Sequence, residues 1–242
     1  MSKLLVVEGS NIVRGVFKEL LDKNEQFDYM LTGSYEEAKK ELTKKRYEFA
    51  VVERSLKDAP DGEIIALCNK HNVAPIVFTK EIDEDFFEVF EGAQIVDYII
   101  KQKHNNVHNV MAKLKRLKAN KQVTILIVND SHIYTTYLKQ NLNLHSFKVI
   151  TATNNEEAMQ KLELHPDIQL MIVDNSEPYV DALKLIEDVR VDKKSQEIKI
   201  LVSTEEPNLY QTARYLNAGA DDYIVKQFSR NEFYVRVYQN IN

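Results

Sequence analysis

The sequence predicts an α/β protein made of two doubly wound, five-stranded parallel sheets in tandem. Three observations lead there. First, the chain repeats itself at a long offset. Leu4-Leu5-Val6-Val7-Glu8-Gly9-Ser10 returns as Ile125-Leu126-Ile127-Val128-Asn129-Asp130-Ser131, and Ala50-Val51-Val52-Glu53 returns as Met171-Ile172-Val173-Asp174, both 121 positions on. Val96-Asp97-Tyr98-Ile99-Ile100-Lys101-Gln102 returns as Asp221-Asp222-Tyr223-Ile224-Val225-Lys226-Gln227 at an offset of 125. Solenoid repeats run about 20–50 residues, so this period is a whole small domain. Second, each half alternates short apolar runs with longer amphipathic stretches, five times over, which is the pattern of strand–helix units with right-handed crossovers. Third, the apolar runs are rich in Val, Ile and Leu with little polar alternation, as strands covered on both faces are.

In the first half the strands are expected near 3–7, 28–32, 49–53, 75–79 and 96–100. The last helix, about 105–118, has Val107, Val110, Met111, Leu114 and Leu117 on one face and Lys113, Lys115, Arg116 and Lys118 on the other. Such a basic run reads as a solvated helix face. Residues 119–122 form a short linker without Pro or Gly. The domains are therefore placed at 1–118 and 122–242.

In the second half the strands are expected at 124–128, 147–151, 170–173, 198–202 and 222–225. Between and after them lie helices at 131–143, with Ile133, Tyr137, Leu138 and Leu142 assigned to one side, 155–164, with Ala158, Met159 and Leu162, and 181–191, with Leu183, Ile186 and Val189. Helices at 207–218 and 229–240 complete the pattern.

Bulk properties narrow the function. Hydrophobic content of 44% and charged content of 29% are ordinary for a globular protein, and a net charge of -5 argues against nucleic acid as the main partner. Cys68 is the single cysteine, so no intrachain disulfide forms and a reducing cytoplasm fits. It lies in the apolar stretch Ile64-Ile65-Ala66-Leu67 and reads as a buried small hydrophobe. Met1-Ser2-Lys3 leads straight into a strand without a signal-peptide pattern, and no apolar run nears the 18 or so residues of a membrane span. The chain has no phosphate-cradling glycine loop of either common type. His71, His104, His108, His132, His145 and His165 lack zinc-site spacing and read as surface or loop residues.

Open parallel sheets bind ligands beyond the carboxyl ends of their strands. In the second half those ends carry Asn129 and Asp130, then Asp174, Ser203 and Thr204, and Lys226. Carboxylates packed together attract a hard divalent cation, and Mg²⁺ takes one or two of them with waters and phosphate oxygens. A carboxylate can attack a phosphoryl group as a nucleophile, while a cation, an ammonium and a hydroxyl stabilise the transferred oxygens.

On these residues the second half resembles a response-regulator receiver domain, with the flavodoxin-like (CheY-like) fold. The matching stretches are Ile-Leu-Ile-Val-Asn129-Asp130-Ser, Met-Ile-Val-Asp174-Asn-Ser-Glu-Pro178, Ile-Leu-Val-Ser-Thr204 and Asn-Ala-Gly219-Ala-Asp-Asp-Tyr223-Ile-Val-Lys226. The resemblance implies that Asp174 is a phosphoacceptor and that Asp130, Asp174 and the Ser176 backbone carbonyl hold Mg²⁺, with Asn129 beside them. It implies that Thr204 is the switch hydroxyl, Lys226 the phosphate-binding lysine and Tyr223 the aromatic whose rotamer follows the switch. Four positions depart from the pattern. Asn129 stands for an acid and weakens the expected Mg²⁺ site. Glu205 stands for a small residue, Ala182 for a frequent glycine and Gln227 for a proline.

The first half departs further. Gly9 stands where Asp130 does and Glu53 where Asp174 does, while Thr79 and Lys101 are kept and Glu8 takes the place of Asn129. It is read as a receiver that no longer takes phosphate. Either Glu53 pairs with Lys101 as a fixed imitation of the charged state, or the domain is a scaffold without a preset signal.

The expected whole is a two-component or phosphorelay module in the cytoplasm. A histidine kinase or phosphotransfer protein would donate the phosphoryl group. The fourth helix, fifth strand and fifth helix of the second domain, with Arg214, Asp222 and Arg236, would dimerise or meet an output domain. Tandem receivers with one degenerate copy resemble the regulatory part of PleD-like diguanylate cyclases. The chain holds no catalytic domain of that kind, so its status as part of an enzyme stays open, and a non-phosphorylated interaction scaffold remains the rival. Neither nucleic acid nor a membrane is expected to bind.

Overall fold

The computed structural model describes residues 1–80, 93–101, 106–176, 178–192, 197–205 and 209–241. The chain divides into two compact units, Met1–Lys118 and Ala119–Asn242. In the first, β1 (Ser2–Val7), α1 (Asn11–Asp22), β2 (Phe27–Thr32), α2 (Tyr35–Lys44), β3 (Phe49–Glu53), α3 (Glu63–Lys70), β4 (Pro75–Thr79) and β5 (Asp97–Ile100) precede α4 (Asn106–Asn120). In the second, β6 (Thr124–Val128), α5 (His132–Leu144), β7 (Lys148–Ala152), α6 (Asn155–Leu164), β8 (Ile168–Asp174), α7 (Ala182–Val191), β9 (Lys199–Thr204), α8 (Leu209–Ala218), β10 (Asp222–Val225) and α9 (Arg230–Ile241) follow.

The first sheet runs β2-β1-β3-β4-β5 and the second β7-β6-β8-β9-β10, with every pair parallel. This is the flavodoxin-like order, whose strand sequence reverses beside the first strand and opens a crevice there. Burial follows from position. The central strands β3, β4 and β6 are buried throughout, whereas the edge strands β5 and β10 are mostly half-buried. Each sheet separates two apolar layers. In the second unit Leu126, Val128, Met171, Val173 and Val202 face α6, α7 and α8, while Ile125, Ile127, Leu170, Ile172 and Leu201 meet α5 and α9. Cys68 is fully buried in the first unit, and burial pushes its thiol up to about 12.

Two side-chain expectations fail. Ile133 is 84% exposed and Tyr137 is also exposed, whereas Leu138 and Leu142 are buried. Five residues separate Ile133 from Leu138, about 140° around a helix, so they cannot share a face. His145 is not a surface residue. It is 1% exposed, stacks on Tyr234 with ring centroids 3.6 Å apart, and its Nδ1 lies 2.8 Å from the Tyr238 hydroxyl. A residue just past the end of α5 is thus pulled inward by aromatic residues spaced four apart on α9. His104 and residues 207–208 lie outside the described residues. On the basic face of α4, Lys113 forms an ion pair with Asp97 of the edge strand.

Candidate functional site

Register brings the candidate side chains to one rim. Val128 pairs with Val173, Asp174 with Ser203, and Thr204 with Val225. The next residues along β6 and β10, Asn129 and Lys226, therefore emerge on either side of Asp174. Two backbone bonds extend the ladder past the strand ends: Asn129 N donates to Ala152 O at 3.0 Å and Lys226 N to Thr204 O at 2.6 Å. Ser131 then caps α5 by accepting from Tyr134 N, which stops the strand-to-helix turn directly at Asp130. At the other end, Gly219 closes α8 with φ +113, and a Cβ there would lie 2.8 Å from Arg190 Cγ. Arg190 donates to the Gly219 carbonyl at 2.8 Å and pairs with Asp221 at 2.8 Å, which fixes where β10 begins.

Asp174 is the centre of the site and is 3% exposed. Its Oδ2 accepts from Asn129 Nδ2 at 3.0 Å and from Lys226 Nζ at 2.9 Å. Its Oδ1 is buried with no hydrogen-bond partner among the described residues. Burial pushes the Asp174 carboxyl above its ordinary value; Lys226 pulls the other way, and the charges of Glu205 and Asp130 add to the rise. For Lys226 burial lowers the ammonium's pKa, but the bonds and charges of Asp174 and Glu205 outweigh it and hold the group above its ordinary value. Glu205, exposed at the mouth, takes the same ammonium at 3.2 Å.

Asn129 is a donor here, not a ligand. Its Oδ1 accepts from Ser131 N at 2.6 Å and its amide nitrogen faces Asp174. Asp130 sits exposed on the rim. The Ser176 carbonyl accepts from Tyr179 N at 3.1 Å and Val180 N at 3.0 Å, so it reaches a cation only by giving up one of those bonds. Among the described residues no three metal-ligating side chains converge. The orphaned Asp174 Oδ1 with Asp130 nevertheless fits Mg²⁺, which is satisfied by one or two carboxylates plus water and phosphate oxygens. Thr204 is buried at the end of β9, and half-buried Tyr223 packs against the layer under α7 and α8. Asp222 pairs with Arg236 at 3.1 Å across β10 and α9, and Arg214 lines a small cavity with Asn175, Asp181 and Tyr215.

The first unit builds the same rim from different groups. Glu8 N donates to Thr32 O and Lys101 N to Thr79 O, matching the backbone bonds of the second unit. Lys101 Nζ is 2.7 Å from Glu53 Oε1 and 2.6 Å from Glu8 Oε2, the latter without hydrogen-bond geometry. Gly9 N donates to Glu53 Oε2 at 2.8 Å, and a Cβ at Gly9 would lie 3.0 Å from that same oxygen. Burial pushes Glu53 up, but Lys101 and the Gly9 N–H overcome it and hold the carboxyl below its ordinary value. Burial leaves Glu8 raised despite Lys101.

One residue the sequence reading passed over stands beside Lys226: the ring centroid of Tyr134 is 5.0 Å from the ammonium. Aligning the two halves would have shown it, since Val13 holds that place in the first.

A rim of this composition at the strand ends of a 2-1-3-4-5 sheet defines a receiver domain. The family model described as "Response regulator receiver domain" matches residues 125–238. Chemotaxis protein CheY1 of Helicobacter pylori is 32% identical over 106 residues, 43% of this chain and 86% of that protein. The alkaline phosphatase synthesis transcriptional regulatory protein PhoP of Bacillus subtilis is 35% identical over 114 residues, 47% of this chain and 46% of that protein, so the chain spans about half of that regulator. A crystal structure described as a two-component system response regulator/GGDEF domain protein superposes with TM-score 0.82 at 26% identity, covering 99% of this chain and 98% of its own. The chain belongs to the response regulator receiver family, as two receiver folds in tandem.

Proposed function

We propose that this protein is a two-component or phosphorelay response regulator whose second unit, residues 122–242, accepts a phosphoryl group on Asp174, while the first, 1–118, is a receiver that does not. The observation that carries the reading is the Asp174 carboxylate: one oxygen is tied to Asn129 and Lys226, and the other is buried without a partner.

An oxygen of Asp174 attacks the donor's phosphorus and forms an acyl phosphate. The bond from phosphorus to the leaving group breaks, and the leaving group, a histidine nitrogen of a kinase or phosphotransfer protein, keeps the electron pair. Lys226 is placed to move its ammonium from the carboxylate to the new phosphoryl oxygens, and the Thr204 hydroxyl is the donor at the end of β9. Asp130 and Asp174 would hold Mg²⁺, with the Ser176 carbonyl as a further ligand once its loop bond is released. The cation would supply charge neutralisation on the transferred oxygens. Thr204 and Tyr223 would carry the change to α8, β10 and α9, the face that dimerises or meets an output domain. The named GGDEF neighbours support an output of that class. No described helix is long and apolar enough to cross a membrane, which agrees with a cytoplasmic role.

A second reading, a receiver that only docks, is favoured by Asn129 in place of an acid and by the share of Lys226 that Glu205 takes. One experiment separates the two. Incubation with a small-molecule phosphodonor and Mg²⁺, followed by intact mass and peptide mapping, is expected to add one phosphoryl group at Asp174 and none to Asp174→Asn. No addition to the wild-type chain, or addition at Glu53, would overturn the first reading.

A further inference from the structure

We propose that Tyr134 is the positioning residue for the Lys226 ammonium, replacing from a helix the aromatic face that the first unit supplies from its sheet. The two rim lysines share one neighbour, an aromatic ring: Lys101 Nζ lies 4.9 Å from the ring centroid of Phe78, and Lys226 Nζ 5.0 Å from that of Tyr134. The rings come from different elements. Phe78 is in β4, one residue before Thr79, and the equivalent position before Thr204 is Ser203. Tyr134 is in the first turn of α5, and its equivalent in α1 is Val13.

The exchange is complementary. Where the strand provides the ring, the helix has Val13. Where the helix provides it, the strand has the small, buried Ser203, 1% exposed. The Tyr134 hydroxyl lies 2.9 Å from Ser203 Oγ, so each replacement contacts the other. Each ring is also braced: Phe78 edge-on by Phe17 at 5.9 Å, Tyr134 by Tyr137 stacked at 6.3 Å.

The physical role follows from the ring's negative face. An ammonium on a four-carbon stem has many rotamers, and Glu205 at the mouth offers Lys226 a competing exposed partner. A ring within about 6 Å attracts the cation and holds it toward the buried Asp174. Loss of the ring should release Lys226 toward Glu205.

The test has two arms, of which only the second rests on the phosphoacceptor reading. In NMR spectra of the full chain, the Lys226 side-chain protons are expected upfield of those of exposed lysines, shifted by the Tyr134 ring. Tyr134→Leu should abolish that shift, Tyr134→Phe should keep it, and Tyr134→Leu/Ser203→Phe should restore it from the strand side. In the second arm, initial phosphorylation by a small-molecule donor should fall roughly three- to tenfold in Tyr134→Leu, with most of the rate kept in Tyr134→Phe and regained in the double variant. Lys226 signals unmoved by Tyr134→Leu, or Tyr134→Phe as impaired as Tyr134→Leu in both arms, would overturn the proposal. If the double variant does not fold, the two single variants decide it. If the wild-type chain takes no phosphoryl group, the phosphoacceptor reading fails, and the NMR arm alone judges the role of Tyr134.

Discussion

The two rims differ less in how many groups they hold than in which of them give hydrogen bonds and which take them. Glu8 and Asn129 occupy one position and make the same backbone bond, to the N–H of Ser10 and of Ser131. Their second atoms have opposite character. Asn129 turns an amide donor to Asp174, whereas Glu8 turns a second acceptor to the lysine. The ammonium in the first unit therefore lies between two carboxylates, and Glu53 has both oxygens bonded. In the second unit one Asp174 oxygen is left over. In the first rim every carboxylate oxygen faces the ammonium or a backbone N–H, Glu8 Oε2 by charge contact alone, and the second keeps capacity for something that arrives.

Removing each lysine should separate the two rims most. Lys101→Met leaves two buried carboxylates facing one another, and breaking a buried pair costs about 3–5 kcal/mol. The loss should be read in hydrogen exchange of β1 and β3 amides and in urea unfolding, and should shrink at acid pH as the pair takes up protons. Lys226→Met should cost the second unit less, because Asp174 keeps the Asn129 bond and Lys226 is more exposed. Equal losses, or a larger one in the second unit, would mean that the first rim does not lean more heavily on its lysine.

The next test restores an acid. Asn129→Asp replaces the donor by a third carboxylate and should tighten Mg²⁺ binding to the second unit by about tenfold in calorimetry, at some cost to the metal-free fold. Gly9→Asp should create no site in the first unit, since its Cβ meets Glu53 Oε2 and Lys101 already sits between the carboxylates. Tighter binding in Gly9→Asp, or none gained in Asn129→Asp, would count against the contrast.

Much of this was legible beforehand, and the reasons are physical. The strands Thr124–Val128 and Asp222–Val225 and the helix Asn155–Leu164 fall where the apolar runs and spacing place them, because strands covered on both faces read as short Val- and Ile-rich runs and a helix with one buried face repeats its apolar positions every three to four residues. The gathering of Asn129, Asp174, Thr204 and Lys226 follows from strand ends alone. What could not be read was partner choice within the rim. Lys101 was paired in expectation with Glu53 only, and Glu8 was not seen to share it, because a one-dimensional pattern does not say which way an end residue turns. Asn129 was read as a missing acid, not as a donor. His145 was misjudged because its burial depends on Tyr234 and Tyr238, more than 80 residues away.

A pH comparison sharpens the same contrast. Asp174 has its folded pKa raised above its ordinary 3.8, so the folded state binds that proton more tightly. The stabilising contribution is fully present below the unfolded value and is lost as pH rises through the folded one. The stability of the wild-type second unit relative to Asp174→Asn should therefore increase as pH falls from neutrality toward that value. Glu53, lowered from 4.5, has the opposite sign: its contribution is present above the unfolded value and lost as pH falls through the folded one. The stability of each wild-type unit relative to its own variant, Asp174→Asn or Glu53→Gln, followed by hydrogen exchange across that range, should show the two slopes, since the difference sets aside the raised Glu8 carboxyl of the first unit. Slopes of the same sign would remove the electrostatic distinction.

The smallest expected effect lies just past Lys226. Gln227 has φ +72, in the left-handed region, where a side chain costs about 1–2 kcal/mol. Proline, locked near φ −65, cannot take this conformation, so the departure from the family's proline and the turn into α9 belong together. Gln227→Gly removes the strain but also frees the unfolded chain, which costs roughly 0.5–1 kcal/mol. The net gain should be about 0.5 kcal/mol in urea unfolding of the second unit. The phosphorylation rate at Asp174 should stay near that of the wild type if the turn's shape, and not the Gln227 side chain, sets the aim of Lys226. A slower rate at unchanged or higher stability would give the Gln227 amide a part in the site. A clear loss of stability would mean that the residue does not hold the left-handed conformation in solution.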